Sequence, residues 1–99
     1  MTSASCTIAS AFFTRVGDLG TLFIDVSSTN AVTPNVPWIA LPSTCTAKVM
    51  STGSFLLSHN GSYGSFHKGA NSYYVTFGAQ SNLPAAGNHV YLNITYFVA

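Results

Sequence analysis

Apolar and polar residues alternate with a period of two along most of this chain, and no stretch holds the period of a helix. No window of about eleven residues carries apolar side chains at i, i+3, i+4 and i+7 without β-branched runs, Gly or Pro interrupting it. From Thr21 to Ser27, Leu22, Ile24 and Val26 share one face, while Thr21, Asp25 and Ser27 share the other. From Val90 to Val98, Val90, Leu92, Ile94, Tyr96 and Val98 oppose Tyr91, Asn93, Thr95 and Phe97. Tyr73, Val75 and Phe77 oppose Tyr74 and Thr76, and Ile8, Phe12 and Val16 align with Ser10 and Thr14 between them. Turn chemistry separates these runs. Gly17-Asp18-Leu19-Gly20 reads as a short hairpin. So does His59-Asn60-Gly61-Ser62, where Asn-Gly supplies the positive φ that a tight I′ turn asks of both central residues. The stretch Thr29 to Pro37 contains Pro34 and Pro37, is the longest connection, and is excluded from a central strand. The chain therefore reads as about eight short strands, at 6–15, 20–28, 36–41, 45–50, 54–59, 63–68, 72–78 and 89–98. Short strands punctuated this often imply an all-β antiparallel sandwich or barrel, in one domain over 1–99.

Such a fold is usually surrounded by charge, and this one is not. Hydrophobic residues make up 47% of the chain and charged residues only 5%, against about 25% charge in soluble domains generally. The net charge is +1, from Arg15, Lys48 and Lys68 against Asp18 and Asp25. With no basic patch to release counterions from a phosphate backbone, nucleic acid is not an expected partner. No apolar run reaches the roughly 18 residues that span a bilayer, so membrane insertion is not expected. The first residues carry no positive stretch and predict no signal peptide. Large apolar groups fall on both faces of several strands, with Phe13, Phe23, Leu56, Phe66, Tyr74, Tyr91 and Phe97 opposite the better core face. A single copy of this size cannot bury two faces, which points to another subunit over the second.

Titratable groups are too sparse for an enzyme. There is no Glu; Asp18 reads as a turn former and Asp25 sits mid-strand on the outward face. No serine stands in a G-x-S-x-G context. Cys6 and Cys45 match no metal or redox spacing and read as two reduced thiols, a disulfide being the other reading. The N-x-[ST] triplets at Asn60 and Asn93 are expected at random in a chain so rich in Asn, Ser and Thr. His59, His67 and His89 match no metal motif, and no cofactor is expected. Trp38, beside Pro37, reads as a structural plug. A ligand site is expected around the second hairpin. There His59, Asn60 and His67 offer polar tips, Tyr63 a flat ring, and Tyr73 and Tyr74 further rings on the next strand. Rigid aromatic faces with a few hydrogen-bonding groups suit a saccharide. Lys68 would add a positive charge there, suited to an anionic glycan.

From Phe13 to Tyr96 the order of segments resembles the C-terminal heads of bacteriophage tail fibres and receptor-binding proteins. Phe13-Thr14-Arg15-Val16-Gly17 and the strand after it resemble the opening R-x-G-x-x-V-x-V hairpin of those heads. Pro37-Trp38-Ile39-Ala40-Leu41-Pro42 resembles their W-x-x-I-x-x-L-P segment, without the G-F-R-P that often follows. Ser58-His59-Asn60-Gly61-Ser62 stands where they place a D/N-G hairpin, and Leu83 to Tyr96 resembles their closing I-P-A-G-x-x-V-x-L-N-x-T-Y strand. The resemblance implies a jelly-roll-like sandwich, a homotrimer, and recognition of a host cell-surface saccharide. It places the protein at the virion tail tip among other tail or baseplate proteins, after assembly in the bacterial cytoplasm. Such heads normally follow a shaft domain, for which this length leaves no room. Two other readings stand beside it: a structural virion or baseplate component without a ligand, and a free-standing lectin.

Overall fold

The computed structural model describes residues 6–58 and 60–99. They form seven strands: β1 (Cys6–Val16), β2 (Leu19–Ser28), β3 (Pro37–Ala40), β4 (Ser51–Leu57), β5 (Tyr63–Lys68), β6 (Tyr74–Thr76) and β7 (His89–Phe97). All pair antiparallel in a single sheet of order β1-β2-β7-β4-β5-β6-β3, curled into a half-barrel. The all-β antiparallel expectation holds. The eighth strand expected at 45–50 does not form. Its residues begin with a 3-10 turn at Ser43–Cys45, and only Ala47 makes a bridge, to Val98.

The two hairpins differ from each other. Val16 pairs with Leu19, so Gly17 and Asp18 alone turn the chain, with Gly17 at φ 61°. The second turn is longer than the expected two-residue form. The register is Leu56 with Tyr63, the Leu57 N–H bonds the Ser62 carbonyl at 2.7 Å, and among the described residues of the turn only Gly61 has a positive φ, of 72°. Asn60 instead caps its own turn, its side-chain oxygen accepting the Ser62 N–H at 2.9 Å.

The inner face of the curl is the core. Leu22, Ile24 and Val26 from β2 meet Phe55 and Leu57 from β4 and Val90, Leu92, Ile94 and Tyr96 from β7, all buried. Trp38 and Ile39 from β3 close the far side, as the plug reading expects. Phe77 joins the layers: its ring lies 5.2 Å from Trp38, 5.1 Å from Phe55 and 6.2 Å from Phe66. Two rings lie over glycines on neighbouring strands, which lets the sheet bend sharply. Phe66 covers its cross-strand partner Gly53, where an added Cβ would come within 2.6 Å of the ring. Phe55 covers Gly64 in the same way. Phe66 is thus a core residue, correcting its assignment to the second face. Phe13 is half-buried, 6.2 Å from Tyr96 on the inner side.

The reversal at Phe13 has a local cause. A bulge between Ile8 and Ser10 shifts the register of β1 against β2. Ile8 faces inward opposite Val26, but beyond the bulge the inward positions are Ala11 and Phe13. Phe12 and Val16 turn outward, and Val16 is 83% exposed. Lys68 is the larger correction. The alternation of β5 sends it to the inner face with Phe66, where it is fully buried, so it offers no charge to a ligand on the outside. Its amine lies 5.3 Å from the centre of the Tyr96 ring. Cys6 and Cys45 are thiols, not a disulfide.

Candidate functional site

Because the sheet is one layer thick, its outer face is what remains for recognition. Cross-strand register arranges that face in rows. Val16, Leu19 and Phe97 form the first, at the β1–β2 turn. Thr14, Thr21 and Thr95 form the second, with Thr21 and Thr95 hydroxyls 3.3 Å apart. Phe12, Phe23, Asn93, Ser54 and Ser65 make the third, and Ser10, Asp25, Tyr91, Leu56 and Tyr63 the fourth. Ser27 and His89 follow.

The third and fourth rows enclose a shallow groove of about 350 Å³ lined by Phe23, Ser54, Leu56, Tyr63, Tyr91 and Asn93. Phe23 and Tyr91 stack across β2 and β7 with centroids 6.3 Å apart. Tyr63, 76% exposed, stands at the opposite wall on β5. That wall is held from behind. β5 pairs with β6 only at His67–Thr76, and the free backbone next to Tyr63 is taken by side chains of the following loop. Gln80 bonds both the N–H and the carbonyl of Ser65, at 3.1 and 2.7 Å, and the Asn82 amide donates to the Tyr63 carbonyl. These amides stand in for a neighbouring strand and fix the ring's position.

At the other end, beyond Tyr91, lies a polar triplet. His89 Nε2 bonds the Asp25 carboxylate, and its Nδ1 is 3.4 Å from the Ser27 hydroxyl. The His89 ring also lies 5.1 Å from that of Tyr91. A proton on Nε2 donated to Asp25, with Nδ1 accepting from Ser27, satisfies all three groups.

The expected ligand residues are spread out. Tyr63 alone lines the groove. Asn60 is spent on its own turn. His67 shares the outer face of β5 with Tyr63 but is four residues along, roughly 13 Å. It pairs with Thr52, and His59 lies outside the described residues. Tyr73 and Tyr74 stack at 4.7 Å near the sheet edge, where Tyr74 pairs with Ala40 of β3. The Tyr74 hydroxyl donates to that of Tyr73, which holds the Tyr74 phenol above its usual range. Sequence alternation had put Phe23, Leu56 and Tyr91 on the outer face, but not in one groove; that juxtaposition needs the β2-β7-β4 order. Asp25, His89 and Ser27 carried no signal, since Asp25 and His89 are 64 residues apart. Among the described residues, no three His, Cys, Asp or Glu side chains gather as a metal site, and no helix is long and apolar enough to cross a membrane. Comparison with known proteins finds no matching family model, no matching curated sequence and no matching solved structure.

Proposed function

We propose that this chain is a non-enzymatic binding head, of the kind found at phage tail tips, that takes a cell-surface saccharide in the groove of its outer face. The observation that supports this is the groove itself. Tyr63, Tyr91, Phe23 and Leu56 supply flat apolar surface, and Ser54 and Asn93 place a few hydrogen-bonding groups between them. A sugar ring has an apolar face and a polar rim, and such a lining matches both. Tyr63→Ala and Tyr91→Ala should each weaken glycan binding by about 1–2 kcal/mol, the worth of one aromatic contact of this size. His67→Ala, outside the groove, should leave it unchanged. Titration of the best hit from a glycan array decides it; equal binding by parent and both tyrosine variants would remove the groove from consideration.

The homotrimer and the jelly-roll arrangement belong to the same reading. Support for self-association comes from the first row. Val16, Leu19 and Phe97 are 83%, 44% and 55% exposed, and the Lys48 N–H bonds the Phe97 carbonyl, bringing exposed Val49 and Met50 close by. The threonine row separates this patch from the groove, so three copies joined here would leave three grooves open, each adding avidity. Light scattering should find a trimer for the parent and a shift toward monomer for Phe97→Ser. A parent that stays monomeric at high micromolar concentration contradicts the assembly.

A further inference from the structure

The charge around the groove narrows what it accepts. The chain has two acidic side chains, and Asp18 is in the β1–β2 turn, so Asp25 is the one acidic group in the middle of the outer face. Asp25 is the cross-strand partner of Tyr91 and two residues from Phe23 on the same face of β2, which sets it beside the stacked rings at the end of the groove. No lysine or arginine among the described residues lies beside it. Lys68 is buried on the inner face, and Lys48 is tied to the end of β7 at Phe97, six residues from Tyr91, or roughly 20 Å. Arg15 is held by the turn through Gly17 and Asp18. At such separations a surface charge is screened, since the Debye length is about 8 Å in physiological salt. His89 Nε2 bonds Asp25 Oδ1, and the Asp25 side chain stays 24% exposed at the end of the groove.

The geometry points to a cationic ligand in this groove: a saccharide bearing a protonated amino sugar, its ammonium beside Asp25 and over the faces of Tyr91 and Phe23. This rests on the groove being the saccharide site. Two attractions act on the same group. A carboxylate at the edge of an apolar groove pairs with an ammonium, and aromatic faces attract a cation through their quadrupoles. An anionic glycan meets the same Asp25 as repulsion. A neutral sugar offers that carboxylate hydroxyl donors but no opposite charge. General electrostatics do not provide the preference, because the whole chain is weakly positive at +1 and repels a polycation.

The test compares tetrasaccharides of glucosamine and of N-acetylglucosamine, alike in backbone and differing only in the charged amine. Titration near neutral pH, read by amide chemical shifts, reports both affinity and location. A third probe, N-trimethylated, keeps its charge at every pH. The two cationic forms should bind about five- to thirtyfold more tightly than the acetylated one, the combined worth of one ion pair and one cation–π contact. Shifts should concentrate on β2, β7 and β4. In Asp25→Asn, which keeps an acceptor for His89, the ratio of cationic to acetylated binding should fall to within about twofold; a thermal melt confirms that the variant is folded. If the acetylated sugar binds in the groove as tightly as the amine, or if Asp25→Asn keeps the preference, the charge inference is overturned and the saccharide site stands. If none of the three probes shifts groove residues while another glycan does so, this inference falls alone; if no glycan does, both fall.

Discussion

Replacing Phe77 by alanine should cost about 4 kcal/mol, enough to bring a domain of this size close to unfolding. The size of the effect follows from where the ring sits. Phe77 is fully buried just after β6, and its edge or face meets Trp38, Phe55 and Phe66, which arrive from β3, β4 and β5. Between β6 and β3 there are few backbone pairs, and β6 joins β5 through a single register pair, so side chains rather than ladder bonds hold this end of the curl. The Phe77 carbonyl also accepts the Asn35 N–H at 2.7 Å, tying the long β2–β3 connection to the same point. Truncation leaves a cavity that neighbours on three strands cannot fill together. For a chain near a hundred residues, the loss should lower Tm by about 15–30 °C. Phe77→Leu, which keeps most of the volume, should cost about 1–2 kcal/mol. Urea unfolding monitored by Trp38 fluorescence gives both numbers. A Phe77→Ala variant within about 1 kcal/mol of the parent would show that the far edge of the sheet is held without this ring.

How much of this was readable from the sequence depends on what each element uses for its identity. β5 is where turns on either side placed it, and β2 and β7 differ from the reading by a residue at an end, because each of those two has a continuous apolar face and a turn at its border. β1 carries the same pattern but runs past a bulge, and one extra residue reverses inside and outside for everything that follows; Phe12 and Phe13 exchange roles for that reason. The segment 45–50 also alternates, yet it has no strand to lie against beyond Val98, and pattern without a partner does not make a strand. The expected sandwich assumed two sheets; the structure covers its core by curling one sheet and laying Trp38, Leu41 and Val32 over the open side. The groove was the least legible feature. Tyr63 could be named from the hairpin, but its companions come from β2, β4 and β7, brought together only by the strand order. Lys68 was legible in part. Its place two residues after Phe66 puts both on one face under strict alternation, and both are buried, but a lysine's charge argues for the outside and hid that placement.

That buried lysine sets the pH dependence of the fold. The Lys68 amine has no hydrogen-bond partner among the described residues, and burial pulls its pKa down from 10.5 to about 8, the nearby Cys45 opposing the shift. The Tyr96 ring face softens the cost of burial without removing it. Below pH 8 the amine is protonated in both folded and unfolded chains, and the folded state bears the full penalty of a buried ammonium. Between pH 8 and 10.5 the folded chain has shed the proton while the unfolded chain still holds it, so the unfolded state binds more protons and stability rises with pH. Tyr96 acts in the opposite sense at the top of this window. Burial, and its 2.7 Å bond to the Cys45 carbonyl, hold its phenol well above the usual range, so above about pH 10 the unfolded chain loses that proton first and stability falls. The parent should therefore gain stability from pH 7 to a maximum near pH 10, by roughly 2–3 kcal/mol from Lys68. Lys68→Met keeps the chain length of the side chain and a polarizable contact with Tyr96 while removing the charge. It should be more stable than the parent by roughly 2–3 kcal/mol at pH 7, with the difference shrinking steadily as the pH approaches 10. Taking the difference between the two proteins in urea melts at each pH cancels the tyrosines and the other groups they share. A difference that stays constant from pH 7 to 10, or a methionine variant less stable than the parent at pH 7, would show that the amine reaches a partner or solvent and is not a buried, unsatisfied charge.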